Sequence, residues 1–140
     1  MSERESAAGQ CLCGAVRFLI YLPVKFCVHC HCKSCRVMMG AALVTWVGVP
    51  YQSFKLAGKE HLRWYICSEQ AKRGFCEACG TSLIFLSTVW PDDVHVTRAS
   101  IVGEVDIVPR FHIHFEQHVK WFEFEDSVPR LGGKSGREPL

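Results

Sequence analysis

Short runs of alternating hydrophobic and polar residues, separated by turn residues, make up most of this chain. From residue 15 to residue 22 the alternation is regular and predicts a half-buried β-strand. Its inner face would consist of Val16, Phe18, Ile20 and Leu22. Further runs of strand length follow at 43–47, 52–56, 62–66, 83–86, 94–101 and 105–108. The pattern therefore predicts a mainly β protein.

Helical and unstructured segments are predicted at only a few places. A short helix is expected after Lys33, and it should end at Gly40 because glycine accepts the left-handed conformation of a helix C-cap. The close spacing of the strands predicts a compact barrel or a pair of packed sheets. From residue 127 the chain is rich in glycine and proline and has little to bury, which predicts a flexible tail.

Composition and charge narrow the class of protein. The chain has 140 residues, 49% hydrophobic and 21% charged, which fits one soluble globular domain. Its apolar runs are much shorter than a membrane span, so no membrane association is expected. A net charge of +2 provides no basic field of the kind that binds nucleic-acid phosphates. We therefore predict neither a nucleic acid nor a membrane as partner.

Nine cysteines indicate either disulfides or metal binding. The count is odd, and the polar N-terminus shows no apolar segment of a secretory signal. Both observations favour a reducing, cytoplasmic compartment in which the thiols bind metal. A disulfide framework is the alternative.

Seven of the cysteines lie in three short clusters with the spacing of metal ligands. These are Cys11 and Cys13 as CxC, Cys30, Cys32 and Cys35 as CxCxxC, and Cys76 and Cys79 as CxxC. A closed structural zinc site takes four ligands, whereas a reactive site keeps three and one open position. Seven thiolates therefore predict two zinc ions per chain, one closed and one open. The three-cysteine cluster is the natural candidate for the open site, but spacing alone does not pair the other clusters.

Other chemically active residues have two interpretations each. His29 and His31 lie within the three-cysteine cluster and could supply a fourth ligand, although hydrogen bonding beside the metal is favoured. Cys27 and Cys67 are interpreted as small buried residues and are left out of both sites. A last pair, His112 and His114, is predicted to share one face of the segment 111–115, either lining a pocket or forming a surface pair.

Ordered motifs along the chain resemble the glutathione-dependent formaldehyde-activating enzymes and their centromere-protein-V-like relatives. The motifs run from Gly9 to about Leu131: GQCLCGAVRF, CHCKSCR, WVG, RGFCEACGTSL, PRFHIHF and Trp121. The resemblance implies an Mss4-like twisted β architecture in a zinc-binding domain at 9–126, with a tail at 1–8 and another at 127–140. It also implies the metal ligands: Cys11, Cys13, Cys76 and Cys79 for a structural zinc, and Cys30, Cys32 and Cys35 for the second.

The resemblance implies a reaction as well: addition of the glutathione sulfur to formaldehyde, or cleavage of the resulting carbon–sulfur bond. Zinc held by three thiolates is a weak Lewis acid toward water but can bind a further thiolate, which suits a thiol substrate. Cys30, Cys32 and Cys35 would then be the catalytic residues. Substrate binding is assigned to Arg36, Arg73 and His31, with solvated or structural arginines as the alternative. Two other functions stay open, a thiol carrier without catalysis and a structural interaction domain.

Overall fold

The computed structural model describes residues 4–140 and is mainly β, as the sequence predicts. The strands are β1 (Ser6–Gln10), β2 (Arg17–Tyr21), β3 (Phe26–Cys30), β4 (Val44–Pro50), β5 (Phe54–Ala57), β6 (Leu62–Ile66), β7 (Ala71–Cys76), β8 (Ser82–Ser87), β9 (Asp93–Thr97), β10 (Phe111–Ile113), β11 (Leu131–Gly132) and β12 (Glu138–Pro139). One α-helix is present within this range, α1 at Lys33–Met39. Over the same residues, no helix has the length and apolar character needed to cross a membrane.

The chain forms two compact units, and each unit is built from two separate stretches of sequence. The first unit contains the residues up to Lys25 together with Val47–Asp106. The second contains Phe26–Trp46 together with Ile107–Leu140. Each of the two predicted metal sites therefore draws all its cysteines from a single unit.

The first unit consists of open antiparallel sheets. Strand β2 lies between β1 and β5, and β6, β7, β8 and β9 pair in sequence order. The predicted inner face of β2 is buried at Phe18 and Ile20, which confirms the alternation. Other fully buried side chains of this unit are Val16, Val47, Val49, Leu83, Ile84, Val94 and Val96. Each contributes about 1.5–3 kcal/mol by burial, so apolar packing is the main source of this unit's stability.

Glycine is required at the turn before β6. Gly58 has φ = 76°, and a Cβ added there would overlap the carbonyl oxygen of Ala15. Gly103 has a similar φ of 78°, but no heavy atom lies within 4 Å of its added Cβ. A comparison of substitutions at these two glycines therefore distinguishes the cost of backbone strain from the cost of steric overlap.

Alanine at Gly58 is expected to destabilise the protein more than alanine at Gly103. Left-handed backbone costs a non-glycine residue about 1–2 kcal/mol at either position. The overlap with a backbone carbonyl at Gly58 has no flexible side chain to relieve it, so we expect a total loss of about 3 kcal/mol or more there. Urea denaturation of both variants measures the difference. Equal losses would contradict the assigned packing at Gly58.

The second unit places a parallel strand pair beside the helix. Strand β10 pairs with β3 in parallel, with His112 opposite His29 and Ile113 opposite Cys30. Cys32 is the N-cap of α1, and Gly40 ends the helix with φ = 61° and donates to the carbonyls of the last turn. The predicted helix and its glycine C-cap are therefore confirmed. Because Cys30 ends β3 and Cys35 lies in α1, a strand–helix turn positions the three-cysteine cluster.

Several segments differ from the sequence-based expectation. Residues 105–108, predicted as a strand, form no strand, because the run is interrupted by Asp106 and followed by Pro109. The sheets are open and not closed into a barrel. Strand β1 begins at Ser6, inside the predicted tail at 1–8, whose residues 1–3 lie outside the described range. Strands β11 and β12 form a short antiparallel hairpin within 127–140, whose flexibility stays a prediction.

Candidate metal centres

The first unit brings together four cysteine sulfurs, those of Cys11, Cys13, Cys76 and Cys79. All four sulfurs lie within 4.8 Å of one another, and Cys13 is 3.7 Å from both Cys11 and Cys76. A tetrahedral ion with zinc–sulfur bonds of about 2.3 Å separates its sulfurs by about 3.8 Å. The donor type, number and spacing therefore fit a closed four-coordinate metal site.

Two tight turns shape this four-cysteine cluster. Gly14 donates its N–H to the carbonyl of Cys11 and has φ = 80°. Gly80 does the same for Cys76 and has φ = 81°. The N–H of Val16 also points at the Cys11 sulfur, 3.3 Å away. Each turn curls the backbone beneath the sulfurs, which is the geometry of a metal-binding knuckle.

Thr81 supports the four-cysteine cluster and was not singled out from the sequence. Its hydroxyl oxygen accepts the N–H of Leu12 at 3.0 Å and lies 3.2 Å from the Cys79 sulfur. The hydroxyl hydrogen bond is the main cause that lowers the pKa of Cys79 to about 5. Thr81 thus joins the CxC turn to the CxxC turn and favours the thiolate form, which is the form that binds metal. A hydroxyl residue two positions after the second cysteine was the available signal.

The second unit brings together Cys30, Cys32 and Cys35, whose sulfurs also lie within 4.8 Å of one another. The Cys30 sulfur is 3.6 Å from that of Cys35, and the Cys32 sulfur accepts the N–H of Cys35 at 3.4 Å. Cys30 and Cys35 are buried, whereas Cys32 is partly exposed. The cluster therefore offers three convergent sulfurs with one side open to an approaching molecule.

The electrostatics of these three sulfurs fit a bound cation. Hydrogen bonding to the sulfurs of Cys32 and Cys35 raises the pKa of Cys30 far above its ordinary value. The same contact with Cys30 lowers the pKa of Cys32 strongly. Without a cation the cluster favours a thiol beside a thiolate, because adjacent like charges repel. A divalent ion removes that repulsion and allows all three sulfurs to ionise.

All nine cysteines of the chain lie in the described range and none of them forms a disulfide bond, which contradicts the disulfide alternative. Neither Cys27 nor Cys67 belongs to a described cluster, in line with their exclusion from the sites. Cys27 is buried, and the Cys67 thiol donates to the carbonyl of Ala71 at 3.3 Å.

Neither His29 nor His31 belongs to a cysteine cluster of the described residues. His29 Nδ1 is 2.8 Å from the hydroxyl of Thr45. His31 is fully buried, and its Nε2 is 2.7 Å from Nδ1 of His112. Burial is the main cause that lowers the pKa of His31 to about 4. His31 is therefore a neutral hydrogen-bonding residue beside the cluster.

His112 and His114 do not share a face, contrary to the prediction. Strand β10 ends at Ile113, and His114 has φ = 53°, which interrupts the two-residue periodicity. His112 is fully buried, and its Nε2 lies 2.9 and 3.1 Å from the two carboxylate oxygens of Asp126. This hydrogen bond is the main cause that lowers the pKa of Asp126 to about 2. No feature of the sequence indicates a role for Asp126, because its partner His112 is 14 residues away in the chain.

The predicted substrate-binding arginines occupy different environments. Arg36, in α1, donates its Nε–H to the carbonyl of His31 at 3.0 Å and is partly exposed. Arg73, in β7, is buried, with its guanidinium carbon 5.0 Å from the ring centroid of Phe85. Arg36 lies directly beside the three-cysteine cluster in the second unit. Substrate contacts by either arginine stay a prediction.

A cavity of about 550 Å³ lies in the second unit. Its lining consists of Phe115, His118, Lys120, Phe122, Glu123, Phe124 and Glu125. The rings of Phe115, His118 and Phe124 each contact the ring of His31 edge-on. Because His31 lies between Cys30 and Cys32 in the chain, the cavity adjoins the residue that links two candidate ligands. Its volume is within the range of small-molecule sites.

Comparisons with known proteins point to one family. The family model for the glutathione-dependent formaldehyde-activating enzyme matches residues 6–117. A Halomonas elongata protein named provisionally as such an enzyme is 28% identical over 84% of this chain and 80% of its own. An uncharacterized lyase of Schizosaccharomyces pombe is 34% identical over 57% of each chain.

A solved structure gives the same relationship at the level of the fold. The crystal structure of a Rhodobacter sphaeroides protein matches with a TM-score of 0.60 and 26% identity, over 71% of this chain and 91% of that one. The family model spans most of the chain and includes both cysteine clusters. The chain therefore belongs to the glutathione-dependent formaldehyde-activating enzyme family.

Proposed function

We propose that this protein is a zinc-dependent carbon–sulfur lyase that forms or cleaves S-hydroxymethylglutathione or a related thiol adduct. The observation that carries the proposal is the convergence of Cys30, Cys32 and Cys35 in a partly exposed cluster with three ligands rather than four. Membership of the family supports glutathione and formaldehyde as the substrates. Cys11, Cys13, Cys76 and Cys79 would hold a second, structural zinc.

The three sulfurs supply the donor set, and the partly exposed side at Cys32 provides access for a thiol. Zinc bound there would lower the pKa of an incoming thiol and hold it as a thiolate at neutral pH. In the forward direction the sulfur attacks the carbonyl carbon of formaldehyde and one carbon–sulfur bond forms. The carbonyl oxygen takes up a proton, which balances the proton that the thiol released. The reverse reaction breaks the same bond.

Neighbouring residues would bind and orient the thiol substrate. Arg36 already donates Nε–H to the carbonyl of His31, so its guanidinium is held beside the cluster. Its other N–H groups suit a carboxylate of glutathione. The 550 Å³ cavity is far larger than formaldehyde needs, and it has room for the remainder of a tripeptide. We assign Arg36 to substrate binding on this basis, with the buried His31 and Arg73 as the less accessible candidates.

The purified, zinc-loaded protein is expected to accelerate adduct formation between glutathione and formaldehyde. The rate is measured by NMR exchange spectroscopy with and without protein, and calorimetry measures glutathione binding in parallel. An Arg36→Ala variant should raise KM for glutathione about tenfold, the value of one charge-assisted hydrogen bond. Cys67→Ser, outside both clusters, is the control and should behave as the wild type.

Two results would contradict the proposal in different ways. Glutathione binding without acceleration would identify a thiol carrier that does not catalyse. Absence of both binding and acceleration in the zinc-loaded protein would reject glutathione as the substrate.

A further inference from the structure

A continuous series of hydrogen bonds leads from the exposed carboxylate of Asp126 to His31, which lies between two cysteines of the three-cysteine cluster. Asp126 bonds to Nε2 of His112, and Nδ1 of His112 bonds to Nε2 of His31. Both histidines are fully buried, whereas the Asp126 side chain is 40% exposed. His31 is the residue between Cys30 and Cys32. All residues of this hydrogen-bonded series belong to the second unit.

The direction of the hydrogen bonds follows from the carboxylate. An ionised Asp126 only accepts, so His112 must carry its proton on Nε2 and present Nδ1 as an acceptor when the ring is neutral. The Nε2 of His31 then donates to that acceptor. The other ring nitrogen of His31, Nδ1, is buried and has no hydrogen-bond partner among the described residues. The His112 contact is therefore the single ring hydrogen bond that orients His31 within the described part of the chain.

The main chain of His31 transmits this orientation to the cysteines. Its N–H donates to the carbonyl of Ile113 at 3.1 Å, and its carbonyl accepts from Arg36. The residue is thus held by its backbone on two sides and by its ring on a third. Displacement of the ring would displace the turn that places Cys30 and Cys32 within bonding distance of one ion.

Asp126 itself is held in place by the segment that follows it. Arg130 donates to one carboxylate oxygen at 2.9 Å, and the N–H of Val128 donates to the same oxygen at 2.9 Å. Asp126, Val128 and Arg130 all lie beyond residue 117, where the family match ends. The segment of the polypeptide outside the family match therefore supplies the carboxylate at which this series of hydrogen bonds begins.

We propose that Asp126 and His112 are positioning residues, which hold His31 and thereby set the metal affinity of the cluster formed by Cys30, Cys32 and Cys35. The inference rests on the proposed function in so far as that cluster binds the metal at which the thiol reacts. It adds a specific role for the segment after residue 117. Groups hydrogen-bonded directly to metal ligands change metal affinity by about 10- to 100-fold, and residues that act through His31 should fall at the lower end of that range.

The test is a competition for zinc between the full-length protein and a chromophoric chelator. Asp126→Ala should lower the zinc affinity of the three-cysteine cluster about tenfold, the lower end of that range because Asp126 acts through two rings. The four-cysteine cluster serves as an internal reference and should keep its affinity. Asp126→Asn should restore most of the loss, because its side-chain oxygen still accepts from His112. Glu104→Ala removes an exposed carboxylate of the first unit and should have no effect.

Nitrogen-15 NMR at pH 8 gives a second readout that a loss of general stability would not produce. The ring shifts of His31 should show the proton on Nε2 in the wild type, and a mixture of both tautomers in Asp126→Ala. An unchanged tautomer, an unchanged affinity, or an equal loss at both clusters would overturn the inference. These outcomes leave the proposed function standing. A wild-type three-cysteine cluster without zinc would overturn both.

Discussion

Serine in place of both Cys11 and Cys76 is expected to leave the chain unable to fold cooperatively. The two sulfurs are buried and belong to the four-cysteine cluster, whose spacing fits a closed zinc site. Structural zinc contributes about 10–16 kcal/mol to the folding of small zinc-binding peptides. The net stability of a domain is only about 5–15 kcal/mol, so loss of this ion should exceed it. Thermal melts followed by near-ultraviolet circular dichroism measure the effect.

Cys67→Ser provides the matched control for this experiment. Cys67 is partly buried and lies outside both clusters, so the same replacement should cost about 1 kcal/mol or less. A cooperative melt of the Cys11→Ser, Cys76→Ser protein within a few degrees of the wild type would contradict a structural metal in this cluster.

The double replacement Cys30→Ser, Cys32→Ser is expected to abolish the glutathione-dependent reaction while the protein still folds. It removes two of three donors, and hydroxyl oxygens do not replace thiolates as zinc ligands at neutral pH. The first unit keeps all four cysteines of its own cluster, so its fold does not depend on these two residues. The adduct rate should fall to that of the uncatalysed reaction. Circular dichroism of the same sample checks that the fold is retained.

Retained acceleration in this double variant would show that the reaction takes place elsewhere. Loss of folding would instead favour a structural role for the three-cysteine cluster, and with it the alternative of an interaction domain. A single Cys32→Ser variant tests the same point with a smaller change, because Cys32 is the partly exposed member of the proposed ligand set and the N-cap of α1.

Local sequence signals predicted the elements whose structure is determined locally. The alternation at β2 depends only on neighbouring residues, and so does the glycine C-cap that ends α1 at Gly40. The cysteine clusters were also predictable, because they are built from short cysteine motifs. The joining of Cys11 with Cys76 is a contact between distant residues, and only the family resemblance implied it.

Contacts between distant residues account for what the sequence did not predict. Strand β3 has the sequence FCVHC, which shows no regular polar–apolar alternation, and its pairing with β10 is parallel and distant in the chain. No motif or periodicity around Asp126 distinguishes it from other acidic residues. Its proposed role depends on a hydrogen bond to the buried ring of His112. Such pairings require the tertiary fold, because no periodicity or motif in the sequence encodes them.

The zinc content of protein purified under reducing conditions tests the central claim most directly. It should be measured for the wild type and for the Cys30→Ser, Cys32→Ser protein. We expect two ions per chain in the wild type and one in the folded variant, which would establish a separable three-cysteine site. One ion per chain in both proteins would mean that the three-cysteine cluster holds no tightly bound metal, and would contradict the proposed activation of a thiol there.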